Sequence, residues 1–417
     1  MIEWKSYKIK EIGKVITGNT PSSKSPEHWG DELAFITPTD FDSYNKSIFD
    51  SIRKLSSSGI KSLERRLLPK NSIVVTCIGS QMGKVAVNKI DCITNQQINS
   101  IIPFPNFDYH FLYYAISSKK DFLRNLATGG STMPIVNKTD FENIELEFPP
   151  LPTQKAIAEI LSSLDDKIEL NNQINQNLEA LAQALFKQWF VDFEFLNENG
   201  EPYKSSGGEM VDSELGEIPK GWEVKSLDEI ANYLNGLALQ KFRPKSESEP
   251  SLPVIKIKEL RQGYSGGEEK ASIEIDKKYI ILDGDILFSW SGSLLVDFWT
   301  GGKGALNQHL FKVSSQTYPK WFIFLWTKFH LLEFQKIAES KATTMGHIQR
   351  KHLSDAKVLV PSNSLLKKFT ETFECIIEEL ISSRLESRKL MNLRDTLLPK
   401  LISGELEVSE ASLEPTF

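Results

Sequence analysis

The sequence has little of what metal centres and disulfide-bonded proteins need. Its 417 residues include 3 cysteines and 6 histidines. Cys77, Cys92 and Cys375 lie far apart and form no CxxC pair, and the histidines show no HxxxH spacing. These spacings predict neither a disulfide framework nor a zinc site. We therefore expect no metal and no cofactor, and we expect the cysteines to be small buried hydrophobic residues.

Long apolar runs are also missing. No stretch of about eighteen uninterrupted apolar residues occurs, and residues 1–5 lack the apolar segment of a signal peptide. Hydrophobic residues make up 40% of the chain and charged residues 25%, which is typical of a globular protein with a sizeable core. These features favour a cytoplasmic protein without a membrane-spanning segment.

Signatures of nucleotide-hydrolysing and DNA-modifying enzymes are absent as well. The sequence has no P-loop, no glycine-rich nucleotide loop after a predicted strand and no Asn-Pro-Pro-aromatic motif of amino-methyltransferases. Glu223-Val224-Lys225 is an acid-x-Lys triplet without a paired upstream acid, and such triplets are common by chance. A non-catalytic protein is therefore favoured over a single-chain nuclease–methyltransferase.

The net charge of −6 hides an uneven distribution along the chain. Basic and acidic side chains number 18 and 16 in residues 1–150, 5 and 13 in 151–220, 19 and 16 in 221–361, and 7 and 10 in 362–417. Two long, mildly basic segments thus alternate with two acidic ones. The basic segments permit local contacts with nucleic acid but do not require them.

An internal repeat relates the two basic segments. Trp4, Glu11 and Gly18 match Trp222, Glu229 and Gly236 at an offset of 218 residues. The strings 68–79 and 280–292 both predict a turn followed by a buried strand ending at glycine, with an offset of 213 at Gly79 and Gly292. Farther on, 95–97 match 307–309 and 149 matches 361, at an offset of 212. Each half is therefore predicted to be one structural unit.

A long helical pattern follows each half. Both copies repeat apolar residues in steps of four and three, with a polar interruption at the same place, as two helices that pair along a seam require. The predicted seam consists of Ile157, Leu161, Leu164, Ile168, Asn171, Asn175, Leu178 and Leu185 in the first copy and of Phe369, Phe373, Ile376, Leu380, Ser383, Ser387, Leu390 and Leu397 in the second.

If the helices run antiparallel, Asn171 and Asn175 face Ser383 and Ser387, where polar residues would set the register. A helix from residue 153 to 190 would span about 55 Å, comparable to roughly one and a half turns of B-DNA. Two similar domains held by such a rod would meet two DNA half-sites. The alternative is two separate amphipathic helices, each packed on its own domain.

Three long strings resemble those of type I restriction–modification specificity subunits, known as the HsdS family. LPTQKAIAEILSSLDDKIELNNQINQNLEALAQALFKQWFVDFEF (151–195) is similar to the family's central conserved region, and residues 198–224 resemble the opening of its second recognition domain. LRDTLLPKLISGEL (393–406) resembles the C-terminal conserved region. One departure is Pro399, which we expect to end or kink the second helix near Leu398, so that the two rods differ in length.

The resemblance implies an α+β (mixed α/β) fold in which two pseudo-symmetric target-recognition domains are separated by an antiparallel pair of long coiled-coil-like helices. It also implies double-stranded DNA, two methyltransferase subunits and ATP-driven restriction/translocase subunits as partners. We expect the two acidic segments, 151–220 and 362–417, to be the docking surfaces. The expected boundaries are 1–150 and 221–361 for the recognition domains, 151–196 and 362–406 for the helical regions, 197–220 for a linker and 407–417 for a tail.

Loops rich in hydroxyl, amide and basic groups recur in both halves. Amides suit adenine, arginine or lysine suits guanine, and hydroxyls and lysines suit phosphates. The candidate DNA-binding residues are Thr20, Ser22, Ser23, Lys24, Thr37, Thr39, Ser80, Gln81, Lys84, Ser131 and Thr132 in the first half and Lys241, Arg243, Lys256, Lys258, Ser291, Ser293, Thr343, Thr344, Arg350 and Lys351 in the second.

For any single loop residue, solvation or turn formation is the stronger interpretation. Asn95, Gln96, Asn307 and Gln308 recur in both halves, which suits a shared structural or backbone role better than the reading of two different sequences. Residues that read bases should instead differ between the halves. A coiled-coil adaptor that does not bind DNA, the rival class, would not need such loops.

Overall fold

The computed structural model describes residues 3–22, 24–42, 46–79, 81–126, 135–340 and 346–408. These residues divide into two compact units, one within residues 1–169 and 389–417 and the other within 170–388. Each unit contains one mixed α/β domain and one end of each of two long helices.

In the described residues of the first unit, eleven strands and five α-helices precede the long helices. The strands are β1 (Lys5–Lys8), β2 (Gly13–Thr17), β3 (Trp29–Gly30), β4 (Leu33–Ile36), β5 (Ser47–Ile48), β6 (Arg53–Leu55), β7 (Ile73–Thr76), β8 (Val85–Asn88), β9 (Cys92–Thr94), β10 (Ile98–Pro103) and β11 (Glu145–Phe148). The helices are α1 (Ile9–Ile12), α2 (Ser57–Ser62), α3 (Tyr109–Ser117), α4 (Lys120–Leu126) and α5 (Lys138–Glu142).

These strands form three sheets, of order β2-β10-β7-β8-β5, β3-β6-β4-β9 and β1-β11. The central strand β7 has the sequence Ile-Val-Val-Thr and is buried along its whole length, as β-branched residues in a sheet covered on both faces should be. One core joins this sheet to α3, to Ile157 and Leu161 and to Leu401. The domain is thus packed onto the two long helices.

The long helices are α6 (Leu151–Phe190) and α11 (Asn363–Ile402), and each has 40 residues. Their first and last residues are related by the repeat offset of 212. In the second unit Asn171 lies against Ser383 while the Trp189 ring lies 4.8 Å from that of Phe369, so the two helices are antiparallel there. The predicted mixed fold with a pair of packed long helices is confirmed.

The expectation that Pro399 ends the second helix near Leu398, so that the two helices differ in length, was wrong. Helix α11 passes through Pro399 and ends at Ile402, so it is as long as α6. Proline removes one N–H and affects only the last turn here. That turn is held because the Leu401 side chain is 1% exposed in the core of the first unit and Ser403 N–H donates to the Pro399 carbonyl at 3.0 Å.

The second unit repeats the plan of the first. Its strands are β12 (Met210–Ser213), β13 (Gly216–Pro219), β14 (Glu223–Ser226), β15 (Asn232–Asn235), β16 (Ser251–Ile255), β17 (Lys270–Ser272), β18 (Ile280–Ile281), β19 (Ile286–Ser289), β20 (Val296–Phe298), β21 (Gly304–Leu306), β22 (Leu310–Ser314) and β23 (Lys357–Val360). Its helices are α7 (Leu227–Ile230), α8 (Ile257–Gln262), α9 (Lys320–Ser340) and α10 (Arg350–Asp355).

Strand order shows the repeat directly. The sheet β2-β10-β7-β8 corresponds to β15-β22-β19-β20, and β6-β4-β9 corresponds to β17-β16-β21. The pair β1-β11 corresponds to β14-β23. The two internal copies of the sequence therefore fold into two copies of one domain.

The cysteine expectation holds for two of the three residues. Cys77 and Cys92 are buried, and burial raises the pKa of each thiol to about 12. Cys375 is exposed, contrary to expectation. It lies two residues after the buried Phe373 on α11, and two residues of an α-helix turn the side chain to the opposite face.

Candidate nucleic-acid interface

Loops from separate parts of the first unit meet at one edge of its four-stranded sheet. Strands β4 and β9 are parallel, so their carboxyl ends lie at the same edge and lead into Thr37 and Asn95. Asn95 N–H donates to the Ile36 carbonyl at 3.0 Å, and Asn19 N–H donates to the Thr94 carbonyl at 2.9 Å. We call this surface the first loop edge; it comprises residues 18–20, 37–40, 49–53 and 95–97.

A buried carboxylate organises the first loop edge. Asp40 is 1% exposed, and one of its oxygens accepts from the Thr37 N–H at 2.7 Å and from the Thr37 hydroxyl at 2.8 Å. Its other oxygen accepts from the Ile52 N–H at 2.9 Å. Such charge-assisted hydrogen bonds hold the two loops in fixed positions.

The second unit has an equivalent edge. Strands β16 and β21 are parallel and lead into Lys256 and Asn307, and Leu237 bridges to Asn307. The Trp290 indole N–H lies 3.0 Å from the Asn235 side-chain oxygen and 3.1 Å from the Gln308 carbonyl. We call this surface the second loop edge; it comprises residues 235–237, 256–258, 290–291 and 307–309.

The matched glycines Gly18 and Gly236 permit the close approach of chain segments at these edges. A Cβ at Gly18 would lie 2.1 Å from the Asn95 carbonyl oxygen, and one at Gly236 would lie 2.1 Å from the Asn307 carbonyl oxygen. The two asparagine side chains each accept a hydrogen bond from the backbone two residues later, at 3.1 Å from Gln97 and 3.2 Å from His309. Both asparagines therefore have the same structural role.

Several predicted residues of the first half are already engaged within their own loops. The Thr20 hydroxyl donates to the Gln96 side chain at 2.5 Å, and the Ser22 hydroxyl accepts from the Lys24 N–H at 3.2 Å. Thr39 is exposed, and Gln81 and Lys84 are half-buried in the turn after β7. The predicted residues Ser23, Ser80, Ser131 and Thr132 lie outside the described residues.

In the second half the predicted basic residues fall into two groups. Lys256 forms an ion pair with Glu269 and Lys258 one with Glu268, so their charges are partly neutralised. Lys241, Arg243, Ser293, Arg350 and Lys351 are exposed, and Ser291 is buried. The Arg350 guanidinium donates to the Tyr233 carbonyl at 3.2 Å. The predicted residues Thr343 and Thr344 lie outside the described residues.

A shared backbone frame carries different side chains in and beside the two loop edges. Cys77 N–H donates to the Gln97 carbonyl, as Trp290 N–H donates to the His309 carbonyl. Val136 N–H donates to the Cys77 carbonyl, as Ile348 N–H donates to the Trp290 carbonyl. Ile78 bridges to Ile135, as Ser291 bridges to His347. The matched positions are Cys77, Ile78, Gln97 and Ile135 in the first unit and Trp290, Ser291, His309 and His347 in the second.

The side chains at the matched positions of the second unit can form more hydrogen bonds than those of the first unit. The Ser291 hydroxyl lies 2.9 Å from His309 Nδ1, and the Gln308 amide nitrogen lies 3.3 Å from His309 Nε2. The Trp290 ring lies 5.9 Å from His309 and 6.3 Å from His347. An indole beside imidazole, hydroxyl and amide groups can both stack on a base and exchange hydrogen bonds with its edge.

The first domain is joined to the long helices by a buried ionic network that the sequence did not reveal. Asp165 of α6 accepts from Arg394 of α11 at 2.7 Å and from the Tyr114 hydroxyl of α3 at 2.5 Å. Burial alone would lower the pKa of Arg394, but the carboxylates of Asp165 and Asp395 raise it. Burial and the neighbouring Asp165 raise the pKa of Tyr114 above its usual value, so its hydroxyl keeps its proton.

Lys46 extends this network. Its side chain is 2% exposed, donates to the Ser162 hydroxyl at 2.8 Å and lies 3.5 Å from Asp166. Burial lowers the pKa of Lys46, although Asp166 opposes the shift. Burial and the charges of Lys46 and Lys89 lower the pKa of His110 to about 4. Neutral His110 is therefore the form present near pH 7.

The second domain is joined to the helices by different residues. Arg384 of α11 donates to Glu179 of α6 at 2.6 Å and to Asp297 of β20 at 2.7 Å, and Lys328 of α9 donates to Glu179 at 2.8 Å. Burial alone would raise the pKa of Glu179, but Lys328 and Arg384 together lower it. Arg388 forms a further ion pair with Asp283 at 2.9 Å.

The sixteen predicted seam residues are all buried or half-buried on α6 and α11. At the polar interruption, the Asn171 amide donates to Glu386 at 2.8 Å and lies 3.4 Å from the Ser383 carbonyl. The Asn175 side-chain oxygen and the Ser387 hydroxyl are buried with no hydrogen-bond partner among the described residues. The interruption thus leaves polar atoms without partners inside the helix pair, which costs stability.

Among the described residues, no group of three or more His, Cys, Asp or Glu side chains could hold a metal ion. Within that part of the chain, no helix is long and apolar enough to cross a membrane.

Comparison with known proteins identifies the family. The family described as type I restriction modification DNA specificity domain matches residues 1–180 and 219–386, one match in each half of the repeat. The MjaIX type I restriction enzyme specificity subunit of Methanocaldococcus jannaschii is 30% identical over 418 residues, covering 98% of this chain and 94% of that protein. The HindI specificity subunit of Haemophilus influenzae is 22% identical, covering 97% of this chain and 100% of that protein.

A solved structure agrees in fold. The S subunit of a type I restriction–modification system from M. genitalium superimposes with a TM-score of 0.59 at 18% identity, covering 96% of each chain. This chain belongs to the type I restriction–modification DNA specificity family, and the predicted resemblance is confirmed. Specificity subunits of this family are non-catalytic.

Proposed function

We propose that the chain binds double-stranded DNA with a bipartite target and that each α/β domain reads one half-site. The observation that carries the proposal is the pair of loop edges. Both are built on the same backbone frame, with matched glycines and matched structural asparagines, but they present different side chains. A shared frame with variable side chains is what two readers of different sequences need.

Within this proposal the matched positions that differ determine which bases are read. At the first edge Gln97 lies beside the apolar residues Cys77, Ile78 and Ile135. The second edge presents Trp290 and His309, and the buried Ser291 hydroxyl is hydrogen-bonded to His309. Exposed basic residues such as Lys241 and Arg243 would contact phosphates and set orientation rather than sequence. The net negative charge of the whole chain does not oppose this, because the excess of acidic over basic residues lies in segments 151–220 and 362–417, outside the two recognition domains.

The partners in this proposal are two methyltransferase subunits, which modify adenine at N6, and ATP-dependent restriction/translocase subunits, which cleave DNA. The long helices would dock the methyltransferase subunits. All chemistry then occurs in the partners, and the purified chain should show neither S-adenosylmethionine turnover nor DNA cleavage.

Domain exchange tests the proposal. Residues 1–150 are replaced by the matching segment of another family member, and the chimaera is expressed with the methyltransferase partner in cells whose modified adenines are mapped. We expect one half-site of the methylated motif to change while the other half-site and the spacer stay the same. The reciprocal exchange of 221–361 is the control and should change only the other half-site. A change of both half-sites in either chimaera would contradict independent reading.

A further inference from the structure

The first loop edge contains a highly exposed apolar side chain, Ile52. Ile52 is 74% exposed, more than any other large hydrophobic side chain that the structure describes. It lies in the four-residue connection between β5 and β6, together with Phe49, which is 50% exposed. Its neighbours at this edge are the hydroxyl and amide residues around Thr37 and Asn95.

The backbone that carries Ile52 is held firmly. The Ile52 N–H donates to the buried carboxylate of Asp40 at 2.9 Å. The adjacent Ser51 hydroxyl, 8% exposed, accepts from the Phe35 N–H at 3.0 Å and donates to the Arg53 carbonyl at 2.6 Å. Exposure of Ile52 is therefore a property of an ordered turn, and little conformational entropy remains to be lost when a partner covers it.

The next residue provides a positioned cation. The Arg53 guanidinium carbon lies 3.6 Å from the centre of the Trp29 ring and 5.7 Å from that of Phe35. Arg53 is exposed, and the described residues show it no carboxylate partner, whereas Lys54 is paired with Asp50 at 3.0 Å. Stacking fixes the plane of the guanidinium and leaves its N–H groups available for an anionic or hydrogen-bonding partner.

The second unit carries opposite chemistry at the matching positions. Strand register places Lys54 opposite Ala34 and Lys270 opposite Pro253, so Ile52 and Arg53 correspond to Glu268 and Glu269. These two glutamates are paired with Lys258 and Lys256. An exposed apolar side chain beside a stacked arginine thus occurs at this position in the first unit and not in the second.

We propose that Ile52 inserts into a base step of the half-site bound by the first unit, while Arg53 enters the adjoining minor groove. This inference rests on the proposed DNA-binding function. Apolar wedges flanked by arginine partly unstack a base step and bend the duplex, and they do so without reading its sequence. This wedge acts in one half-site only, because the second unit has Glu268 and Glu269 at the matching positions.

The test uses the full chain assembled with its methyltransferase subunits and duplexes that carry the motif found by adenine mapping. 2-Aminopurine is placed in turn at each step of the first half-site, and dyes at the duplex ends report the bend. The methylated adenine is left unlabelled, because a methyltransferase itself unstacks its target base. At one other step we expect a rise in fluorescence, together with a shortened end-to-end distance. Ile52→Ala should lose both signals and bind about tenfold more weakly, whereas Ile52→Leu should keep both.

Ile273→Ala is the matched control, because Ile273 is a 45% exposed isoleucine immediately after β17 in the second unit. It should change binding by less than about twofold. The wedge proposal is refuted if the wild-type complex methylates its motif but shows no unstacked step. It is also refuted if the Ile52→Ala complex bends DNA as the wild type does. Neither result contradicts the proposed DNA-binding function. Weaker assembly of Ile52→Ala with the methyltransferase, with normal bending, also overturns the wedge proposal. A wild-type map without any motif overturns the proposed function as well.

Discussion

Replacing Arg394 with methionine should destabilise the first unit much more than the loss of a surface ion pair would. Arg394 donates to Asp165 at 2.7 Å, and the exposed fractions of the two side chains are 24% and 5%. Methionine fills much of the same volume but leaves the Asp165 carboxylate buried without its cation. The Tyr114 hydroxyl, at 2.5 Å, remains as a partner and compensates in part.

The magnitude follows from this burial. Removing one partner of a buried ion pair costs about 3–5 kcal/mol. Because Tyr114 remains as a partner of Asp165, we expect the free energy of unfolding to fall by about 3 kcal/mol. For a unit of this size each kcal/mol lowers Tm by roughly 2–4 °C, so a decrease of about 6–12 °C is expected. The matched control is Lys187→Met, because Lys187 and its partner Asp192 are 67% and 43% exposed. Such pairs contribute about 0–1 kcal/mol.

Calorimetry of the wild type and both variants measures the effect, and hydrogen exchange shows whether the first unit is the part that opens. The double variant Asp165→Leu/Arg394→Met removes both charges and should recover most of the loss, with about 1 kcal/mol remaining for the unpaired tyrosine hydroxyl. If Arg394→Met lowers Tm no more than Lys187→Met, or if the double variant is as unstable as the single one, the buried-charge reasoning is refuted.

Three further predictions concern backbone, pH and helix length. Gly18→Ala should lower the free energy of unfolding in urea by about 1–3 kcal/mol, because its Cβ would meet the Asn95 carbonyl oxygen at 2.1 Å. Gly266→Ala, whose nearest neighbour lies 4.0 Å away, should be tolerated. The pKa of His110 is about 4 in the folded chain and about 6.5 in the unfolded chain, so the unfolded state binds more protons between these pH values. The free energy of unfolding should therefore fall by about 2–3 kcal/mol as the pH falls through this range. His110→Gln should remove this part of the pH dependence. Four residues inserted before Asn171 add about 6 Å of helix and should lengthen the spacer of the methylated motif by about one to two base pairs without changing either half-site; an unchanged spacer at full activity would exclude the helix pair as a ruler.

The sequence alone was sufficient for the repeat and for the long helices. The offset of 212 residues relates the observed bounds of α6 and α11, and the heptad pattern located side chains that are buried or half-buried in the structure. Both features depend on local periodicity: a helix that buries one face must repeat apolar residues every three or four positions. The matched glycines were visible too, although not the carbonyl groups that require them.

Tertiary structure alone decided how the loops and charges are arranged. Lys46 was an ordinary lysine in the sequence, yet it is buried against Ser162, 116 residues away. Pro399 predicted a helix end, but packing of Leu401 in the core extends the helix past it. The exposed Ile52 and the stacked Arg53 have no periodic signal, because their positions depend on Asp40 and Trp29 in other segments of the chain. Local patterns report which face of an element is buried, whereas contacts between distant segments arise only when the strands pair and bring them together.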